Sequence, residues 1–181
     1  MIKAAVLLIT LIVLDSTLHT QTAPMKDLKD PRLVITKSKR TLDVFDGDKR
    51  IKTYQMVLGF DPKGDKKFEG DGRTPEGDFY VFTKNPESRF HLSLGISYPG
   101  KENAERGLKQ GLITKEEHNE IIAAIDEQRM PLQKTKLGGE IYIHGGGTAS
   151  DWTDGCVALD NDLMTELFDA IPVGAKVTIL P

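Results

Sequence analysis

The chain has one cysteine among its 181 residues, so no disulfide can form within it. It has no basic excess either: 24 Lys and Arg against 27 Asp and Glu leave a net charge of −3. Binding nucleic acid through phosphate contacts normally needs surplus positive charge, so that class of partner is disfavoured. No apolar run reaches the ~20 residues that a helix needs to cross a hydrocarbon core. No Gly-x-Ser-x-Gly string occurs, which removes the nucleophile elbow of a serine hydrolase. The four histidines, at 19, 91, 118 and 144, form no His-Glu-x-x-His and have no second cysteine to join them. A metal is therefore not expected, and a zinc peptidase or amidase is disfavoured. The triple glycine at 145–147 lacks the Gly-Lys-Ser/Thr ending of a phosphate-binding loop. What is present, 39% hydrophobic and 28% charged residues, is the composition of a globular protein long enough for one domain.

Lys3 precedes the apolar run Ala4–Leu14, and polar residues follow to Ala23. A short positive segment before an apolar stretch of that length resembles a secretory signal peptide. The expectation is an exported protein: residues 1–23 as signal peptide or N-terminal anchor, 24–31 as a polar leader, 32–181 as one domain. Thiols of exported proteins are usually oxidised in pairs. A lone Cys156 there is an intermolecular pairing site, a silent buried residue or a reactive nucleophile.

Short alternating runs follow the leader. Leu33 and Ile35, then Leu42 and Val44, fall on one face of strands over 32–36 and 41–45. Asp46-Gly47-Asp48 signals a hairpin, with the return strand over 51–58. Residues 59–77, rich in Gly, Asp, Lys and Pro, read as loop, and strands resume over 78–83 and 90–97. Residues 100–139 change to a helical excursion, in which Thr114 and Glu117 form a capping box and Pro131 stops the helix. A strand over 140–143, a helix over 160–170 and a strand over 175–180 complete the chain. The pattern predicts a mainly-β sandwich or barrel carrying α-helical insertions.

Chemistry concentrates in Glu140–Asp160, EIYIHGGGTASDWTDGCVALD. His144 ends an apolar strand and opens onto Gly145-Gly146-Gly147, while Cys156 follows Gly155 just before the last helix. A thiol nucleophile needs a neighbouring base, and pairing with an imidazolium lowers a cysteine pKa from ~8.5 to as little as ~3.5–7.5. The amides of Gly155 and Cys156 are candidates for an oxyanion hole. Burial as a small hydrophobe is the alternative for Cys156. For His144 the alternative is a strand-end imidazole satisfied by a carbonyl.

A strand-borne His-Gly, a downstream Gly-Cys, then a helix and a last strand resemble the L,D-transpeptidase catalytic domain. Gly70–Gly77 (GDGRTPEG) resembles that family's Thr-Pro-x-Gly segment, and Ser88–Pro99 and Asp151–Leu159 resemble one branch of it. The likeness covers about Arg32 to the end. It implies a cysteine acyltransferase of peptidoglycan stem peptides that needs no cofactor. Cys156 would attack, His144 would carry the proton, and the Gly145 carbonyl would orient the imidazole. The amides of Asp154, Gly155 and Cys156 would hold the oxyanion. Thr153, Trp152, His91, Arg73 and Tyr98 are secondary substrate-binding candidates, with core or surface roles equally open. An amine would resolve the acyl-enzyme by transfer, or water by hydrolysis, and a cell-envelope protein is a possible acceptor or substrate. A cell-wall binding domain with a dead site is the non-enzymatic alternative.

Two departures stand out. The family's commoner motif reads Ser-His-Gly-Cys-x-Arg or -Asn, whereas this chain has Thr153-Asp154-Gly155-Cys156-Val157-Ala158. The excursion over 100–139 is also longer than in many members, and is either a lid over the groove or inert decoration.

Overall fold

The alternation in the first two strands becomes the first layer of the core. The computed structural model describes Met25 and residues 27–181; the expected signal segment over 1–23 lies outside the described residues. Strands β1 (Pro31–Thr36) and β2 (Thr41–Asp46) pair antiparallel, placing Leu33 opposite Val44 and Ile35 opposite Leu42. All four side chains are buried. The hairpin turns at Gly47-Asp48 into β3 (Lys49–Gln55). The last strand, β8 (Lys176–Leu180), lies parallel to β1 and brings Val177 and Ile179 into the same layer.

Strands β4 (Gly77–Ser88), β5 (His91–Ile96), β6 (Tyr142–His144) and β7 (Val157–Ala158) complete one sheet in the order β3-β2-β1-β8-β4-β5-β6-β7. The fold is mainly β, as expected, with the sheet curled into a half-barrel. The curl is visible at its two edges. Val57, just past β3, exchanges backbone hydrogen bonds with Ala158 of β7, N–H to O at 3.0 and 2.9 Å. Helix α3 (Asn161–Ala170) buries Met164 and Leu167 in the main core.

Several element ends differ from the sequence reading. The strand expected over 51–58 stops at Gln55, because residues 57–60 turn to meet the 151–158 segment. β4 runs to Ser88 through Lys84-Asn85-Pro86, which local propensity reads as turn; pairing with β5 carries it on, with register shifts. The strand expected over 140–143 lies at 142–144, and the two-residue β7 carries too little periodicity to announce itself.

The excursion over 100–139 holds α1 (Lys101–Lys109) and α2 (Lys115–Asp126). Ala104, Ile113, Ile121 and Leu137 form its own small core. The Tyr80 hydroxyl donates to the carbonyls of Arg129 (2.7 Å) and Ala124 (3.3 Å), and Arg106 pairs with Asp65 at 2.9 Å. The excursion is therefore bonded to both the sheet and the 59–77 loop.

That loop has no regular structure but is fixed by two buried lysines. Lys37 Nζ donates to the Gly64 carbonyl (2.5 Å), the Thr74 carbonyl (2.8 Å) and Glu76 Oε1 (2.9 Å), using all three of its hydrogens. Lys66 Nζ donates to Asp71 Oδ1 (2.8 Å) and the Phe68 carbonyl (3.2 Å). A buried ammonium is tolerable only with partners of this kind. Replacing Lys37 by Met keeps the volume but strands two carbonyls and a carboxylate. Chemical denaturation of Lys37→Met should show a loss of ~3–5 kcal/mol, the cost of breaking a buried pair; a loss under ~1 kcal/mol would mean that water takes over the ammonium's partners.

Candidate active site

β6 and β7 run parallel, with Ile143 beside Val157 and His144 beside Ala158. This pairing brings Cys156, one residue before β7, next to the strand that carries His144. Two threonine hydroxyls hold the cysteine backbone in place. Thr153 Oγ1 accepts from the Gly155 amide (3.2 Å) and donates to the Cys156 carbonyl (2.7 Å). Thr74 Oγ1 accepts from the Gly59 amide (3.1 Å) and donates to that same carbonyl (3.4 Å). The Thr74-Pro75 segment and the Thr153-to-Cys156 segment therefore meet at one atom. Gly155 sits at φ 129°, and a Cβ there would lie 2.7 Å from the Arg73 carbonyl, so only glycine fits.

The polar loop before the cysteine is stitched to residues 57–60. The Thr153 amide donates to Leu58 and the Phe60 amide to Thr153. Asp151 receives the Leu58 amide (2.9 Å) and a two-nitrogen contact from Arg40, whose charge helps hold the carboxyl below its usual range against burial.

His144 is only 2% exposed. Its Nδ1 lies 2.6 Å from the Gly145 carbonyl oxygen. Because that oxygen can only accept, Nδ1 carries the hydrogen and Nε2 the lone pair. Phe90 stacks on the imidazole at 4.7 Å between centroids, and Trp152 meets it edge-on at 5.6 Å. Burial pushes the imidazole pKa below the usual histidine value, with the Gly145 carbonyl opposing and the Arg89 charge adding to the drop. Phe90 and Trp152 also wall an open groove of about 700 Å³, shared with Gly146, Gly147, Thr148 and Asp160. Neither His144 nor Cys156 lines that groove.

Cys156 is half-buried. Its Sγ accepts the Tyr142 amide at 3.3 Å and directs its own hydrogen toward the Glu140 carbonyl at 3.5 Å. No hydrogen bond joins the thiol to the imidazole. Burial pushes the thiol up to about 11; the Tyr142 amide opposes this and the carboxylates of Asp154 and Glu140 reinforce it. A thiolate lowered by an imidazolium partner, the sequence expectation, is therefore not the resting state. His144 pairs with Ala158, two residues beyond the cysteine, and the sulfur turns back to Tyr142.

The other sequence candidates divide. Thr153 is buried beneath Cys156, and Trp152 covers His144. The Gly155 amide is taken by Thr153, and Asp154 is exposed. Arg73 pairs with Asp61 at 2.9 Å and meets the site only through its backbone. His91, exposed, contacts Thr165 at 2.8 Å. Tyr98 does not reach the groove: it is fully buried, edge-on to Phe79, and its hydroxyl donates to the Leu137 carbonyl at 2.8 Å. A tyrosine hydroxyl inside a core needs such a partner, and the ring is core. Sequence reasoning missed the Tyr142 amide, a backbone group on the neighbouring strand with no side-chain signature. It also missed the hydroxyl role of Thr74, although the Thr-Pro-x-Gly segment pointed to that stretch.

The YkuD family model, described as the L,D-transpeptidase catalytic domain, matches residues 30–179. Among solved structures, the helical cell shape determining protein Pgp2 from Campylobacter jejuni is 22% identical at a TM-score of 0.59, covering 83% of this chain and 48% of that one. Bdellovibrio bacteriovorus Bd1075 is 19% identical at a TM-score of 0.54, covering 87% and 53%. An L,D-transpeptidase from Mycobacterium smegmatis is 12% identical at 0.50, covering 84% and 59%. These likenesses show a shared fold, and the chain spans about half the length of those structures. No curated protein matches the chain.

Alkylation of Cys156 by iodoacetamide should be slow at neutral pH. Its rate should climb about tenfold per pH unit from pH 7 to 10, because only the thiolate reacts. A plateau reached by pH 8 would show a thiolate stabilised by a partner that the resting geometry does not supply.

Proposed function

The chain belongs to the YkuD family of L,D-transpeptidase catalytic domains, and on that footing we propose that it is a cysteine-dependent acyltransferase acting on peptidoglycan stem peptides. Cys156 is the nucleophile and His144 the base. The observation that carries this reading is the 2.6 Å contact between His144 Nδ1 and the Gly145 carbonyl, one strand from the thiol. It leaves Nε2 unprotonated, the form a general base needs.

With thiol and imidazole both neutral at rest, attack is base-assisted rather than launched from a preformed ion pair. Substrate binding brings Nε2 and Sγ together. The sulfur adds to the carbonyl of the bond between an L-centre and a D-centre of the stem, and Nε2 takes the thiol proton. The Tyr142 amide, which already points at the sulfur, and the Cys156 amide meet the charge that develops on oxygen. Collapse breaks the C–N bond, Nε2 returns the proton to the leaving amine, and a thioester remains. An amine, from a second stem peptide or a cell-envelope protein, completes transfer; water completes hydrolysis.

Hydrolysis is the second reading. Where the commoner motif carries Arg or Asn, Ala158 is fully buried in β7 and hydrogen-bonded to Val57, so no side chain there reaches the substrate. We place the protein in the cell envelope on the strength of the apolar run Ala4–Leu14 after Lys3.

Intact-protein mass spectrometry after incubation with a tetrapeptide muropeptide tests the chemistry. The expected result is D-alanine release with an acyl adduct on the wild type and neither on Cys156→Ala; the peptide products separate transfer from hydrolysis. Absence of adduct and turnover with tripeptide, tetrapeptide and cross-linked substrates would leave a cell-wall binding domain as the better reading. The acid side of the pH–rate profile is a second check. Protonated imidazole cannot accept a proton, and burial depresses the His144 pKa, so the rate should fall to half only below pH 6.5. A half-point above pH 7 would contradict the assignment.

A further inference from the structure

A trans peptide unit is planar and carries its C=O and its N–H on opposite sides. The unit joining Gly145 to Gly146 points its oxygen at His144 Nδ1 (2.6 Å) and its N–H at the side-chain oxygen of Asn161 (2.9 Å). Neither residue has a Cβ, so the backbone torsions flanking this unit admit either of its orientations. The nearest backbone ladder bonds flank it: the Gly145 amide donates to Leu92 at 3.3 Å and the Gly147 amide to Leu159 at 3.0 Å. Apart from the His144 contact itself, the bond to Asn161 is the hydrogen bond that this unit makes.

That direction decides which imidazole nitrogen holds the proton. A carbonyl facing Nδ1 requires a hydrogen on Nδ1 and leaves Nε2 free to accept. Turned over, the unit would present the Gly146 N–H to Nδ1 and drive the proton to Nε2. A nitrogen that already carries its proton cannot take one from a thiol.

Asn161 is well placed to set this direction. It is the first residue of α3, which is keyed into the main core by Met164 and Leu167. One turn on, Thr165 Oγ1 donates to the Asn161 carbonyl at 3.0 Å. The side-chain oxygen presses close to the backbone: a Cβ on Gly145 would lie 2.5 Å from it. A helix residue, rather than the glycine loop itself, therefore meets the far side of this peptide unit.

We propose that Asn161 is a positioning residue for His144, acting through the Gly145–Gly146 peptide unit to hold the imidazole in its Nδ1–H tautomer. The kinetic consequence rests on the reading of His144 as the base; the tautomer itself does not.

Long-range proton–nitrogen NMR correlations of the His144 ring, recorded with steady-state kinetics on the tetrapeptide muropeptide, test this. Asn161→Ala should give mixed tautomers and a kcat about 10- to 100-fold lower, part of the ~10²–10⁴ that a positioned base supplies, with KM unchanged. Asn161→Asp keeps an acceptor for the Gly146 amide and should restore both the tautomer and most of kcat. Asp162→Ala alters the same helical turn without touching Gly146, and should change neither. If Asn161→Ala does not fold, Asn161→Ser, whose hydroxyl falls short of the amide, takes its place. A pure Nδ1–H tautomer in the alanine or serine variant would overturn the proposal. A tautomer shift in a protein whose wild type turns over no muropeptide would uphold it and sink the acyltransferase reading alone.

Discussion

The contact between the two ends of the curled sheet is the constraint on which the rest depends. Val57 and Ala158, at the two ends of an eight-strand order, share a pair of backbone hydrogen bonds. Strand β7, at two residues, is too short to be stable alone. Contact across the curl gives the short strand its second neighbour, and everything that depends on its position follows. Cys156 is held one residue ahead of it, and α3 begins three residues after it.

Polar groups inside this curl are satisfied in a way that concentrates order where the chain has least regular structure. Each of two threonine hydroxyls is used twice, accepting from a glycine amide and donating to the carbonyl of a single cysteine. Two buried lysines take up the carbonyls and carboxylates of a loop that would otherwise be the softest part of the molecule. Unsatisfied, those groups would cost more than the loop could recover from its few apolar contacts. The helical excursion adds to this by packing its own small core beside the loop and tying it through Arg106.

How much of this was legible beforehand depended on whether the signal was a side chain or a register. The alternation of Leu33, Ile35, Leu42 and Val44 announced the first strands, and the capping box at Thr114 announced α2. His144 and Cys156 stood out as residue types in a glycine-rich setting. What could not be read was anything set by one backbone meeting another. The Tyr142 amide reaches the sulfur because of strand pairing, and the thiol's own hydrogen turns to the Glu140 carbonyl. For Tyr98 a substrate contact and a core role stood level in the sequence, and its burial puts it in the core. Nothing in the sequence marked Lys37, since its three acceptors come from residues 27 to 39 positions away.

The aromatic cover over His144 has a consequence for where protons can travel. Phe90 lies flat on the ring and Trp152 abuts its edge, and the ring is nearly sealed from solvent. A base in contact with bulk water equilibrates its proton with the buffer between chemical steps. A base walled off in this way would exchange what it receives more slowly. In the proposed reaction, the hydrogen that leaves the cysteine would be the same one that departs on the released amine, carried across by a single nitrogen with no exchange in between. Phe90 and Trp152 would then act as insulation, confining one proton to the substrate's own path.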